Sequence, residues 1–469
     1  MKAVASSHVR AIALVVASTM FMAQLDGAVL ATALPQMASD FSVPPVRLSV
    51  SISAYLIAFV ALLPATGWIA ERFGTRNIFI LAIGIFSFTS LLCAMSKSYW
   101  PFILARVVQG AGASLMTPVG RLVLLRSTPK SELLRAMSIA TMPMLLAPTF
   151  GPPLGGFIVT YFSWPYIFLL NLPVAVPAMF VAWRLIPNLR SEVQRQLDLR
   201  GWLLVSGSLL TLLTGIDQLS VPDSSWTAIM LLIPGIYASV VAVRHLRSHR
   251  RPILSLAPLG CATFRIATIA GGAFARLPLR ALLFLLPLMF QVEFGMTPFA
   301  AGAMLFAFNA GDLAFKPISR HGFKRFGFRT MLVVSGLTGA VTIFACATFQ
   351  PVNTAIATMC IVLAIGGLAR SMLFTGITTL AFSELEESNI TSANILVNMT
   401  QQVINTFSIS LSVLLLHLGA WAHGAGAAIG LDDYRFTLMT MAAIGLCAAI
   451  ALLQLSPRAG MEVSGHVRT

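Results

Sequence analysis

The stretch Gly67-Trp68-Ile69-Ala70-Glu71-Arg72-Phe73-Gly74-Thr75-Arg76 is a short charged turn between two apolar runs, near 48–70 and 78–96. Charge gathered in a turn, with apolar flanks on both sides, is the pattern of a helical hairpin in a bilayer, where each span needs ~20 apolar residues. Working outward, the same alternation recurs. Further apolar runs lie near 11–34, 101–124, 136–160, 165–186, 201–220, 225–243, 265–292, 298–318, 330–350, 354–382, 390–419 and 436–455, which makes fourteen. The first run follows Lys2 and Arg10 and imitates a signal peptide. It reaches Leu34, however, which is long enough to span, so it reads as an uncleaved first helix.

Composition agrees. The 469 residues are 57% hydrophobic and only 10% charged, where a soluble chain carries about 25% charged residues. A soluble globule cannot hide that much apolar surface, so a soluble enzyme and a disordered scaffold are both excluded. The fold class is an all-α polytopic membrane protein. Five cysteines form no CxxC pair and seven histidines form no HExxH, so neither a metal site nor a redox site is expected. No clustered nucleophile or paired acids stand near one interface, and the chain does not read as an enzyme. The net charge of +15 would raise nucleic acid in a soluble protein. Here its position answers otherwise. With the N-terminus in the cytoplasm, 22 basic residues fall on inside loops and three on outside loops, a strong positive-inside pattern. This predicts an inner (cytoplasmic) membrane protein with both termini cytoplasmic, whose partner is the lipid bilayer and not nucleic acid. One inner loop is acidic instead, with Glu384, Glu386 and Glu387, which reads as a solvated turn.

A second copy of the opening motif lies downstream. Arg72-Phe73-Gly74-Thr75-Arg76 is echoed by Arg325-Phe326-Gly327-Phe328-Arg329, an offset of 253 residues. Six helices plus an inserted pair account for that offset. The predicted organisation is an N-terminal six-helix lobe (1–190), an inserted helix pair with a cytoplasmic linker (191–264) and a C-terminal six-helix lobe (265–469). Repeats of this kind are how two-lobed transporters are built.

Four stretches carry a resemblance to the major facilitator superfamily, most of all to its fourteen-helix drug:proton antiporter family (EmrB/QacA type) and, within it, the MdtD-type multidrug exporters. The opening stretch resembles the superfamily loop G-x-x-x-[DE]-[RK]-x-G-x-[RK]. There Gly67 would allow close helix contact, Gly74 a left-handed turn, and Glu71, Arg72 and Arg76 an ion-pair latch on the cytoplasmic side. The second copy is degenerate, because Lys324 replaces the acid and Arg320 the first glycine, so the latch is predicted in the first half alone. Arg106-Val107-Val108-Gln109-Gly110-Ala111-Gly112 resembles R-x-x-x-G-x-G, whose arginine the family links to proton transfer. Gly151-Pro152-Pro153-Leu154-Gly155-Gly156 resembles the antiporter motif G-P-x-x-G-G, a pliable and smooth helix face. Leu25-Asp26-Gly27-Ala28 through Pro35 resembles L-D-x-T-x-x-N-x-A-L-P, with Ala28 and Ala31 replacing the usual Thr and Asn. Trp164-Pro165-Tyr166 through Pro173 is a related match with Pro165 at a usually basic position. The resemblance implies a secondary active transporter that exports amphipathic molecules or drugs by alternating access, driven by the proton gradient and needing no cofactor. With both lobes on one chain, a monomer is the default.

Six basic residues lie within the spans: Arg106, Arg121, Arg276, Arg280, Lys316 and Arg370. Such charges are expensive and mark function by default. Asp26 lies nine residues from the outer end of its span, ~13 Å at 1.5 Å per residue, and Arg106 five from the outer end of its own, ~8 Å. They form a plausible pair, either a proton-coupling site or a fixed structural bridge. Burial disfavours the charge on Asp26 and a nearby Arg106 favours it, so the acid can be poised to take and release a proton. Asp312 has Lys316 four residues on, an i,i+4 spacing that reads as static pairing. Arg276, Arg370, Asp312 and Arg121 are the substrate-cavity candidates. More bases than acids in the spans raises an alternative cargo, an anionic metabolite such as a carboxylate or its metal chelate.

Overall fold

A computed structural model of the chain describes residues 2–128, 130–188, 197–219, 225–249, 252–385, 390–422, 429–456 and 459–460. The described residues form sixteen α-helices and no strand. Two compact units divide the chain, Met1–Leu212 with Ile233–Ile253, and Leu213–Leu232 with Leu254–Thr469.

In chain order the first unit starts with α1 (Lys2–Asp40), α2 (Ser49–Leu62), α3 (Thr66–Phe73), α4 (Thr75–Met95) and α5 (Tyr99–Ser127). It continues with α6 (Lys130–Tyr161), α7 (Pro165–Leu169) and α8 (Asn171–Leu185). Helices α9 (Leu199–Gln218) and α10 (Ser225–Ser248) are shared between the units. The end of α1 is set by backbone hydrogen bonds. Val43 N–H donates to the Ala38 carbonyl and Ser42 N–H to Ser39, with Ser42 itself at φ 54°. This is the Schellman arrangement, and Pro44 then prevents the helix from resuming. Gly74, at φ 95° and ψ 135°, makes the predicted left-handed break between α3 and α4. Around α1 pack α5, α6 and α8, and α4 packs on α5 and α8. Phe79, Phe86, Phe102 and Phe168 are wholly buried here.

The second unit holds α11 (Ala262–Thr268), α12 (Gly271–Leu288), α13 (Pro298–Ala347), α14 (Ile356–Phe382), α15 (Ile390–Ala422) and α16 (Leu431–Ala451). Helix α13 is two helices joined at Gly327, whose φ of 74° is non-helical. Gly74 and Gly327 are 253 residues apart and both carry a left-handed turn between two helices, so the sequence echo is an echo of conformation. The apolar segment containing α12 is 83% buried, against 17% for the segment containing α10. Helix α12 is therefore an interior helix, and charges on it cannot simply reach lipid headgroups.

Twelve helices among the described residues are long and apolar enough to cross a membrane, where the sequence predicts fourteen. The other two predicted runs, 136–160 and 298–318, are also helical and correspond to α6 and the first part of α13. Neither is among the twelve, which were sought in described residues only.

One hydrogen-bonded knot closes α9 against α10. Asp198 precedes α9 and accepts Gly201 N–H at 2.9 Å, His245 Nε2 at 2.9 Å and Ile253 N–H at 3.3 Å. Burial pushes the Asp198 carboxyl up, but the Gly201 amide, the His245 ring and the Ile253 amide outweigh it and hold the group below its ordinary value. The depressed value means that the ionised form stabilises the fold above the ordinary carboxylate range, about pH 4. That stabilisation is lost as the pH falls through the lower folded value. Asp198→Ala is expected to cost about 1 kcal/mol as a lost helix cap at pH 7. Thermal unfolding in detergent should also show a smaller gap between pH 7 and pH 3 than in the native chain.

Candidate functional site

Asp26 lies in the middle of α1 and is completely enclosed, with its side chain 0% exposed. Its surroundings come from four other helices. Arg106 of α5 donates through Nη1 to Asp26 Oδ2 at 2.6 Å. Gln109, one turn further along α5, donates from Nε2 to Asp26 Oδ1 at 3.1 Å and to Ser90 Oγ of α4 at 2.8 Å. Asn171, the first residue of α8, donates to Asp26 Oδ1 and to Ser90 Oγ, each at 3.2 Å. Arg106 also donates to Gln109 Oε1 at 2.6 Å and, from Nε, to the Ser51 carbonyl of α2 at 3.4 Å. Its guanidinium lies 4.5 Å from the centre of the Tyr55 ring.

The chain places these groups by local means. Trp164 ties the start of α7 to the end of α1, its N–H meeting Gln36 Oε1 at 3.1 Å and its indole N–H meeting Asp40 Oδ2 at 2.6 Å. That anchor carries Asn171 in towards Asp26. Gly110 lets α5 press against α2, since a Cβ there would lie 2.2 Å from the Tyr55 carbonyl. The sequence depth estimate pairs Asp26 with Arg106, and the two are in contact. Gln109, Asn171, Ser90 and Tyr55 were not singled out, although Gln109 and Asn171 stand inside the quoted motifs. Ala28 and Ala31 do not impoverish the network, because the polar partners of Asp26 come from other helices.

The other motif residues are distributed unevenly. Gly151 and Gly155 seat α6 on α1, with Cβ atoms that would lie 2.5 Å from Ala28 Cβ and 2.5 Å from Thr32 Oγ1. Small residues on both sides permit that approach, which explains Ala28. Pro152 and Gly156 are buried beside them. Gly67 corrects the expectation of close helix contact there, since a Cβ on it would meet nothing within 4 Å. Within the loop, Gly74 instead is tight, with Asn188 Oδ1 2.1 Å from the site of a Cβ. Glu71 and Arg72 are both engaged, and Arg76 Nε is buried without a hydrogen-bond partner.

In the second unit, Asp312 meets Arg370 of α14. Arg370 Nη2 meets Asp312 Oδ2 at 2.6 Å and Nε meets it at 3.1 Å, while Nη2 also donates to Asn309 Oδ1 at 2.9 Å. The side chains of Lys316 and Arg320 lie outside the described residues, as do Glu386 and Glu387. Arg370 is 4.7 Å above the Phe308 ring. Phe308 is 253 residues after Tyr55, so each unit sets an arginine–aspartate pair over the aromatic ring at the same repeat position. Gly367 meets the Phe308 carbonyl as Gly110 meets that of Tyr55. Arg276 of α12 is buried, donates to Thr378 Oγ1 at 3.0 Å and lies 5.6 Å from the Phe374 ring. Arg121 is half-buried on α5. No group of three or more His, Cys, Asp or Glu able to hold a metal occurs among the described residues.

The Major Facilitator Superfamily family model matches residues 16–409 and, again, 268–468. The chain belongs to the Major Facilitator Superfamily. It is thus a multi-pass membrane transporter and not an enzyme. Among its relatives, "Putative multidrug resistance protein MdtD" of Pectobacterium carotovorum subsp. carotovorum (strain PC1) is 34% identical over 434 residues, covering 92% of each chain. The protein of that name from Klebsiella pneumoniae (strain 342) is 34% identical over 433 residues, covering 92% of this chain and 91% of its own. Solved transporter structures share the fold at low identity. A POT family transporter in complex with 5-aminolevulinic acid has a TM-score of 0.68 at 12% identity, covering 96% of each chain. A D-xylose-proton symporter has a TM-score of 0.63 at 14% identity, covering 95% of this chain and 97% of its own.

Proposed function

We propose that the chain is a proton-coupled exporter of small amphipathic molecules that works by alternating access in the cytoplasmic membrane. In this reading it has fourteen spans, α6 and the first part of α13 included, and both termini are cytoplasmic. It acts as a monomer with protons and a small-molecule cargo as its partners, and the proton gradient takes the place of any cofactor. The multidrug name borne by the relatives supports amphipathic cargo.

The observation that carries the reading is how Asp26 is surrounded. A buried ion pair normally resists protonation of its acid, because the partner is then stranded. Here Arg106 keeps Gln109 Oε1, the Ser51 carbonyl and the Tyr55 ring whether or not Asp26 is charged. The neutral amide of Asn171 can serve either form of the acid by reorienting, while Gln109 keeps its oxygen on Arg106. Asp26 is therefore the proton carrier, and Arg106 is the group that senses its charge. On the cytoplasmic side, Glu71, Arg72 and Arg76 form the latch that opens and closes with each cycle.

Everted membrane vesicles with and without the chain test the reading. With an imposed pH gradient, vesicles carrying the chain should accumulate ethidium or another amphipathic probe, and a protonophore should collapse the accumulation. Citrate serves as the non-amphipathic arm. Equal accumulation in both vesicle types, or accumulation indifferent to the protonophore, would overturn it.

A further inference from the structure

We infer that Arg280 and Arg276, flanking the Phe374 ring, form a binding site for the oxyanion head of an amphipathic organic anion. The site lies within the second unit, between α12 and α14. Arg276 and Arg280 are four residues apart on one helix, so they share a face. Both guanidiniums address the same ring, at 5.6 and 5.1 Å from its centre. Arg276 spends one nitrogen on Thr378. Arg280 is half-buried and has no hydrogen bond or ion pair among the described residues, which leaves a whole guanidinium fork available.

Charge balance decides what the site takes. Among the described residues, the charged neighbours of Arg280 are Arg370, Arg276 and Asp312. Asp312 is the acid of that set, and it is already committed to Arg370 at 2.6 Å. Two positive charges therefore remain unmatched on an interior helix. Like charges held together out of water are costly unless a counter-charge joins them. A carboxylate or phosphate-type head fits that need, because a guanidinium grips two oxygens at once. Phe374 offers an apolar face beside the head for the hydrophobic part of the same molecule. A cation would meet only repulsion. Arg370, predicted from sequence to face the cargo, instead is held by Asp312 and Asn309 and contributes its position in the cluster. Arg280, which no motif marks, is the free donor.

This inference rests on the exporter reading for its meaning as a cargo site, but its test does not depend on transport. The full chain in phosphatidylcholine nanodiscs is titrated with radiolabelled salicylate at pH 7. Arg280→Gln and Arg276→Gln should each weaken binding about tenfold or more, the scale of a lost hydrogen-bonded charge. Arg280→Lys should weaken it less, since charge is kept and the fork is lost. Phe374→Leu, which leaves both arginines in place, should also weaken it, and each variant should melt within a few degrees of the native chain. Unchanged salicylate affinity in folded Arg280→Gln overturns the site, as does absence of salicylate binding by the native chain. Displacement of salicylate by phosphatidylglycerol built into the discs would assign the site to lipid and overturn the cargo assignment. Failure of the exporter reading would look different. Neither salicylate nor ethidium would then be driven by a proton gradient, while Arg280-dependent salicylate binding would persist.

Discussion

Asp26→Asn is expected to abolish pH-driven uphill export while leaving equilibrium binding of the cargo within about threefold of the native chain, a difference under 1 kcal/mol. The asparagine has the shape of the acid, and its carbonyl oxygen can still accept from Arg106, where Asp26 Oδ2 now sits at 2.6 Å. Its amide must then face the donors of Gln109 and Asn171; Asn171 can turn to offer its oxygen, and Gln109 Nε2 keeps Ser90 Oγ at 2.8 Å. The fold should therefore survive, while the group that gains and loses a proton is gone. Vesicles carrying the variant should show facilitated, downhill movement of the probe and no accumulation against its gradient. Accumulation at the native level, still sensitive to a protonophore, would remove Asp26 from the coupling mechanism. Arg106→Ala is the harsher change. It strands a carboxylate in the interior, and breaking a buried pair on one side costs about 3–5 kcal/mol. Its signature should be a loss of folded protein, before any loss of coupling can be read.

Gly110→Ala and Gly367→Ala are expected to be among the most damaging single methyl additions in the chain. The added carbon would lie 2.2 Å from the Tyr55 carbonyl oxygen in one case and 1.8 Å from that of Phe308 in the other. The obstacle is backbone, not the tip of a flexible side chain, so the helices themselves must part. Overpacking a well-filled interior costs about 1–3 kcal/mol, and rigid backbone contacts place these sites at the upper end. Each change also moves the ring on which an arginine rests, Tyr55 under Arg106 or Phe308 under Arg370. Thermal midpoints and the yield of monodisperse protein in detergent measure the effect. Gly67→Ala and Gly27→Ala are the controls, since a Cβ at either meets nothing within 4 Å. These two should be neutral or slightly stabilising, because alanine favours helix over glycine by about 1 kcal/mol. If Gly367→Ala melts with the controls, the close approach of α13 and α14 is not what holds that pair.

The site was legible in part, for identifiable reasons. Asp26 and Arg106 could be paired from sequence because depth along a span is arithmetic: 1.5 Å per residue from the membrane edge. Gln109 could have been added by the same rule, lying one turn from Arg106 on the same face. Asn171 and Ser90 could not, since their depth says nothing about which helices are neighbours. Asp312 shows another limit. Its i,i+4 spacing to Lys316 is a local regularity, and local regularity is what sequence displays most readily. The partner of Asp312 among the described side chains is Arg370, 58 residues away on α14, a contact that spacing along one helix does not display. Gly67 fails in a related way, because a motif position transfers a residue type but not the distance to the next helix.

The linear order of residues determined the membrane class, the positions of the apolar runs, the charge asymmetry of the loops and the repeat at Gly74 and Gly327. All of these depend on transfer between water and hydrocarbon or on the dihedral freedom of one residue, and such properties belong to short segments. Only the tertiary structure decided which charges meet: Asp26 with Arg106, Gln109 and Asn171, Asp312 with Arg370, and Arg280 with Phe374 and no acid among the described residues. Pairing across a helical bundle depends on which faces neighbouring helices present at the same depth. Side-chain periodicity within one helix cannot encode that, so the two unmatched arginines on α12 became visible only once the helices were packed.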